Sequence, residues 1–399
     1  MICIYEDEHY RNFLPLVYFR PVFDLHCGRL SLFGKIKKLY QNETFGLLVR
    51  PLIAPITKEI YAHIKVNEIT EPNALSLFLS ARAILKHPIE VSEKEEIFVI
   101  DENDIIGFRV QNNRIIDSIG MIYTNETISE NIIFDWQLPK RQVDAISVKY
   151  PWDLIRLNPQ ELVKDFAQPT ILGTLSSDAF IIGDILNLYL GNGAEIERGA
   201  AIDLHPGPIY IDGNARILAQ SKITGPAYIG KNTIIDHGKI TASTIGENCR
   251  VTGEVEDSIF QGFVNKHHYG FIGHSYVGEW VNLGAGTTNS DLKNNYSTIK
   301  VKLGNKNIDT GQMKVGCFIG DHAKTAIGTM IPTGAVIGMF ANVFEPRANL
   351  KSVPNFCWSK GKRWQLEKAI ATAKIVASRR NVVLTKTQEE LINNIFQIG

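Results

Sequence analysis

Lys266, His267 and His268 stand in a row, and His274 follows. Imidazole titrates near neutrality, so each of these histidines can take up or release a proton at working pH. In a strand, His267 and His268 point to opposite sides. Three histidines can also hold zinc, but no acid or cysteine completes a set at ligand spacing, so the metal is unknown. Just downstream runs Val281-Asn282-Leu283-Gly284-Ala285-Gly286-Thr287-Thr288-Asn289. Its small residues let a reacting group approach backbone N–H groups closely. Further cations follow at Lys293, Lys300 and Lys324. Near the start of the chain, Arg20 and Arg29 flank Asp24. A guanidinium can clamp a phosphate with two N–H groups, or pair with such an acid and order a loop. Asn67-Glu68, after the strand-like Ile64-Lys65-Val66, form another polar pair that can stand near a substrate or metal.

The elements that position the histidines follow from a repeat. An aliphatic residue recurs every six positions at Leu190, Ile196 and Ile202, then at Ile211, Ile217, Ile223, Ile229 and Ile235. The same spacing links Ile245 to Val251, Val277 to Leu283, and Ile319, Thr325, Ile331, Ile337 and Val343. Each hexapeptide makes one short strand and one turn, and three close a triangular coil with the aliphatic side chain inside. Stacked coils bury a continuous ladder and pair each other's backbone. The spacing predicts a parallel β-helix, interrupted at 260–276 and 289–317, where histidines, lysines and asparagines gather. An excursion from a repeat scaffold is a natural place for function.

With 399 residues, the chain is long enough for two or three domains. Residues 1–5, 45–49 and 97–100 read as apolar strands. Residues 73–86 read as a helix with Leu75, Leu79 and Ala83 on one face, so 1–150 is predicted as an α/β domain. Pro151 opens a connector helix to about Phe166, and the boundaries read 151–168 for the connector and 169–350 for the β-helix. Residues 351–399 carry helical spacing at Leu366, Ile370, Ala373 and Ala377, then a helix capped by Thr385, expected to close the end of the solenoid. Lys+Arg and Asp+Glu number 42 each, and a chain of zero formal charge lacks the basic surplus of a nucleic-acid binder. The five cysteines form no CxxC pair and read as free thiols in a reducing cytoplasm. No basic segment followed by an apolar stretch marks a signal peptide, and no apolar run reaches the ~20 residues of a membrane span.

The run Lys266-His267-His268-Tyr269-Gly270-Phe271-Ile272-Gly273, continued to Asn282-Leu283-Gly284-Ala285-Gly286-Thr287, resembles the acetyltransferase domain of the bifunctional N-acetylglucosamine-1-phosphate uridylyltransferase / glucosamine-1-phosphate acetyltransferase family. The spacing from His268 to the Gly-Ala-Gly-Thr run matches without gaps. Lys314-Val315-Gly316-Cys317 and Tyr150-Pro151-Trp152-Asp153-Leu154 are similar to the archaeal type, and the whole looks closest to a Bacteroidetes-type variant. The resemblance covers about 150–343.

It implies a Rossmann-like nucleotidyltransferase domain followed by a left-handed β-helix, assembled as a homotrimer. It places His268 as catalytic base, with Lys266, Asn282, Lys293 and Lys300 toward an amino sugar phosphate. Acetyl-coenzyme A would lie along a groove between neighbouring β-helices, near Ala285, Asn289 and Lys324. Nucleoside triphosphate, with Mg2+, would belong to the N-terminal domain. There the chain departs from the family. The glycine-rich loop after the first strand is replaced by Leu16-Val17-Tyr18-Phe19-Arg20-Pro21-Val22-Phe23-Asp24, so phosphate binding falls to side chains, with Arg20, Asp24, Arg29 and Asn67 as candidates. Phe271 replaces a usual Tyr, and Glu256-Asp257 stand where a Lys is expected, which points to an altered acceptor. Two other readings are a nucleotidyltransferase whose β-helix only trimerises, and a non-enzymatic trimeric scaffold binding sugar nucleotides.

Overall fold

The computed structural model describes the chain except residues 91, 103, 117–126, 167, 345–350, 359–361 and 399. It divides into two compact units, one of residues 1–25, 30–150 and 385–395, the other of 26–29, 151–384 and 396–399.

The first unit is built on a seven-stranded mixed sheet. Its strands are β1 (Ile2–Tyr5), β2 (Phe45–Leu48), β3 (Lys65–Val66), β4 (Leu75–Ser80), β6 (Glu96–Val99), β7 (Ile105–Gln111) and β8 (Lys140–Gln142), in the order 3-2-1-4-7-6-8. β1, β2, β3 and β4 run parallel, while β7 pairs antiparallel with β4 and β6. β5 (Ala83–Leu85) and β9 (Ala145–Ser147) form a separate antiparallel pair. Helices α1 (Leu32–Leu39), α2 (Ala54–Ile60) and α3 (Glu130–Asp135) complete the α/β unit. One core face gathers Cys3, Tyr5, Phe78, Val99, Phe108 and Val110.

The helix expected over 73–86 is instead β4 and β5. β4 lies between β1 and β7, and every residue from Ser76 to Ser80 is buried. A central strand covered on both faces is a continuous apolar run, and spacing alone cannot separate that from a buried helix.

The second unit is a parallel β-helix, as the six-residue period predicts. One inward ladder climbs Leu190, Ile211, Ile229, Ile245, Phe260, Val277, Ile319, Ile337 and Val353, each in register with the next. A second climbs Leu175, Ile196, Ile217, Ile235, Val251 and Lys266, and a third Ile181, Ile202, Ile223, Ile240, Val255 and Ile272. The interruption expected at 260–276 is therefore only apparent. Lys266 occupies a rung, since four methylenes can fill an aliphatic slot. The interruption at 289–317 is real, and there an antiparallel hairpin pairs Lys300–Leu303 with Lys306–Asp309.

One corner of the solenoid carries a column of rings in which Phe263 stacks on Trp280, and His322 on Phe340 at 4.5 Å and Phe340 on Phe356 at 5.1 Å. Phe340 is fully buried, and Phe340→Ala is expected to cost about 3–5 kcal/mol, read as a lowered denaturant midpoint. The connector α4 (Pro151–Asp165) opens with proline at its first position. Helices α5 (Leu366–Ser378) and α6 (Lys386–Ile398) end the chain, and Phe396 meets Phe356 edge-on at 5.0 Å. No helix among the described residues is long and apolar enough to cross a membrane.

Candidate functional site

The β-helix corner after Lys266 bulges. Gly253 of one coil is followed in register by Gly270 of the next, because Glu254 pairs with Phe271, while Val251 pairs with Lys266. Residues 267–269 therefore stand opposite Thr252 alone, two residues more than in the coil below, and His267, His268 and Tyr269 project into solvent. The coil before that of Val251 also carries one more residue at this corner than the Val251 coil, where a register shift lets out His237.

These protrusions bring four groups together. The Asp236 carboxylate bridges His237 Nδ1 at 2.5 Å and His267 Nε2 at 3.1 Å. The hydrogen bonds from His267 and His237 hold Asp236 below the usual carboxylate range. The His268 ring lies 6.2 Å from that of His267 and has no hydrogen bond among the described residues. The Tyr269 carbonyl accepts the Gly286 N–H at 2.9 Å, tying the bulge to the Gly284–Gly286 turn.

That turn sorts its own donors. Gly284 N–H donates to Thr325 Oγ1 at 3.0 Å, Gly286 N–H to Tyr269, and Thr287 N–H to the Gly284 carbonyl at 3.0 Å. The Ala285 N–H alone in this turn has no partner among the described residues, which leaves it able to hold an oxyanion.

The other anticipated residues sit as follows. Lys266 is 2% exposed, and its ammonium donates to the carbonyls of Thr252 and His268 at 2.7 and 3.2 Å. Asn282 accepts the Asn265 amide at 2.8 Å on the next coil. Asn289 is buried and clamps Gly273, accepting its N–H at 2.8 Å and donating to its carbonyl at 3.0 Å. Lys324 donates to the His322 carbonyl at 3.0 Å and lies 5.7 Å from the Trp364 ring centre, and burial pushes its ammonium down to about 8. Lys293 is tied to Thr298 and Ser297 within the 289–317 excursion, and Lys300 is exposed on its hairpin. The structure thus gathers His268, Lys266 and Ala285 at one corner.

His274 sits in a separate cluster, with Nδ1 2.8 Å from Asp291 and Nε2 3.6 Å from Asp257. Burial raises the Asp257 carboxyl. Among the described residues no three His, Cys, Asp or Glu side chains gather around a metal position.

In the first unit, the carboxyl ends of parallel strands β1, β2 and β4 present Glu6-Asp7, Arg50 and Arg82, the edge at which open α/β sheets bind ligands. Arg50 Nη1 donates to both Glu6 carboxylate oxygens at 2.6 and 2.7 Å, and Arg82 grips Asp7 at 2.8–3.0 Å and Glu130 at 3.3 Å. Arg20 is 5% exposed and donates to the Leu16 carbonyl at 2.9 Å. Asp24 accepts the Tyr61 hydroxyl. The Asn67 amide bonds Val49 N–H and C=O at 2.8 and 2.9 Å. Arg29 belongs to the second unit, where it covers the Tyr210 ring at 4.6 Å and donates to the Asp165 carbonyl at 3.4 Å.

Asp236, His237 and Tyr269 escaped the sequence reading. The corner between rungs Ile235 and Ile240, which lie five residues apart instead of six, falls outside the hexapeptide spacing and so could not be read from it. Glu6, Arg50 and Arg82 could have been found as charged residues directly after apolar strands.

The sequence profile of the sugar nucleotidyl transferase family matches residues 2–170. A bifunctional sugar-1-phosphate nucleotidylyltransferase/acetyltransferase of Sulfurisphaera tokodaii is 31% identical over 195 residues, 49% of this chain and 43% of that protein. The bifunctional protein GlmU of Methanocaldococcus jannaschii is 26% identical over 188 residues, 47% of this chain and 40% of that protein. The matched region spans less than half the length of either relative.

Proposed function

We propose that this chain, which carries a sugar nucleotidyl transferase domain over residues 2–170, is an enzyme of sugar-nucleotide biosynthesis whose β-helix transfers an acetyl group from acetyl-coenzyme A to an amino sugar phosphate. The observation that carries this reading is the His268 corner, where an exposed imidazole stands on a bulge tied to the Gly-Ala-Gly-Thr turn. The activities named for the Sulfurisphaera tokodaii relative, nucleotidylyl transfer and acetyl transfer, agree with it.

In this mechanism the neutral amine of the sugar attacks the thioester carbonyl. A C–N bond forms as His268 takes the amine proton, and the Ala285 N–H donates to the oxyanion. Collapse of the tetrahedral intermediate breaks the C–S bond. The thiolate leaves and takes the proton from the imidazolium, returning His268 to its starting state.

A second reading is favoured by one contact. Asp236 holds His267, not His268, and a carboxylate partner orients an imidazole and raises its basicity. His267→Ala and His268→Ala separate the two, because the variant lacking the base loses turnover and the other keeps it.

The first unit is proposed to bind a nucleoside triphosphate and a sugar-1-phosphate at the carboxyl edge of β1, β2 and β4, with Mg2+ entering on the phosphates. Buried Arg20, Arg50 and Arg82, each bonded to a carbonyl or carboxylate, give that edge its positive charge without themselves reaching a solvated phosphate. The reading includes a homotrimer whose acyl-coenzyme A groove is closed between copies. Sedimentation is expected to give a trimer, and an acetylating monomer contradicts that assembly.

A thermal-shift screen tests both halves, since a ligand at 100 times its dissociation constant stabilises by about 2.7 kcal/mol. Stabilisation by nucleoside triphosphate plus sugar-1-phosphate, and separately by acetyl-coenzyme A, is expected. No shift with any of these contradicts the assignment.

A further inference from the structure

We propose that Lys266 is a positioning residue for His268, its ammonium fixing from beneath the backbone of the bulge on which His268 stands. This rests on the reading of His268 as the acetyl-transfer base.

Lys266 follows Val251 in an inward ladder otherwise made of aliphatic residues. Its four methylenes take the place of an isoleucine or valine. The ammonium then lies at the corner, bonded to the carbonyls of Thr252 and His268. Charge-assisted bonds of this kind are about twice as strong as neutral ones.

Space at that corner is made for it. A Cβ on Gly253, whose φ is +77°, would come within 2.9 Å of the ammonium. One on Gly270, at φ +130°, would stand 2.1 Å from the Thr287 carbonyl. The bulge is thus held twice, by Lys266 at the His268 carbonyl and by Gly286 at the Tyr269 carbonyl. Between those two ties the His268 side chain has a fixed origin.

The alternative role, a ligand for the sugar phosphate, does not fit this geometry. At 2% exposure the side chain has no path to a solvated phosphate without leaving the interior. Burial also disfavours the charged form and pushes the ammonium down to about 8, with the Glu254 carboxylate partly opposing that shift. A buried cation in a slot that an aliphatic residue would fill carries a desolvation cost, so the ammonium works against stability there.

The test compares wild type, Lys266→Met and Lys266→Arg in the full chain. Methionine fills the rung and removes the donor. With acetyl-coenzyme A and glucosamine-1-phosphate as probes, Lys266→Met is expected to melt at or above the wild-type temperature. Its kcat should fall at least about tenfold with both KM values nearly unchanged, because a small misplacement of a catalytic group is costly. Amides of residues 267–270 should exchange about tenfold faster, whichever acceptor the enzyme uses. Lys266→Arg should recover part of both.

A pH series adds a readout that packing alone does not move. The folded ammonium titrates near 8, below the ordinary 10.5, so the unfolded chain binds the extra proton between those values and stability rises with pH across that window. Lys324 contributes in the same direction, so the wild-type minus Lys266→Met difference isolates Lys266. Unchanged kcat and unchanged exchange in Lys266→Met overturn the proposal, as does a loss expressed only as a raised KM for glucosamine-1-phosphate. Full acetyl transfer in His268→Ala would instead overturn the base assignment, while the exchange rates still decide whether Lys266 holds the bulge.

Discussion

His268→Ala is expected to lower acetyl transfer by about 10²–10⁴-fold, the usual contribution of a positioned general base. The fold should not notice the change. His268 is exposed and its ring makes no hydrogen bond among the described residues, and such surface substitutions usually stay within about 0.5 kcal/mol. Because the amine must lose its proton in the transition state, the loss should appear in kcat more than in either KM. It should shrink at high pH, where hydroxide and free amine take over part of the work. His267→Ala is the paired measurement. Its ring is anchored by Asp236 at 3.1 Å, so a larger loss there than in His268→Ala would transfer the base role to the neighbour.

Arg50→Ala is expected to destabilise the first unit by about 3–5 kcal/mol, the cost of leaving one member of a buried ion pair alone. The Glu6 side chain is fully buried, and that of Arg50 is 3% exposed. The Glu6 carboxylate also receives the Val22 N–H at 3.0 Å, and the Arg50 guanidinium reaches the Val17 and Arg20 carbonyls. One side chain thus ties β1, β2 and the segment from Leu16 to Asp24. Removing it strands a carboxylate and several carbonyls together. Unfolding followed by a probe in the first unit should show the shift. A change below about 1 kcal/mol would mean that this edge is wetter than its geometry indicates.

The β-helix could be read from the sequence because its period is rigid, with Leu190, Ile196, Ile202 and their successors all on buried rungs. What the period hid was every coil that departs from six. Ile240, Val255, Phe260 and Ile272 are rungs as well, and the polar identity of Lys266 made a continuing ladder look broken. The roles of buried polar residues were equally hidden. Asn289 looks like a ligand residue in sequence and is a backbone clamp in structure. Sequence spacing records which residues are near, but not whether a side chain points inward or where its hydrogen bonds go. β4 failed for a different reason, since an apolar run carries no period once both faces of a strand are covered.

The central claim is acetyl transfer at the His268 corner. Its most direct test is to incubate the full chain with acetyl-coenzyme A and glucosamine-1-phosphate, and to measure free thiol and N-acetylated sugar phosphate together. Equal amounts of both are expected, formed by the wild type and lost in His268→Ala. Wild-type protein that binds acetyl-coenzyme A yet forms no N-acetylated product with this or any other amino sugar phosphate would contradict it.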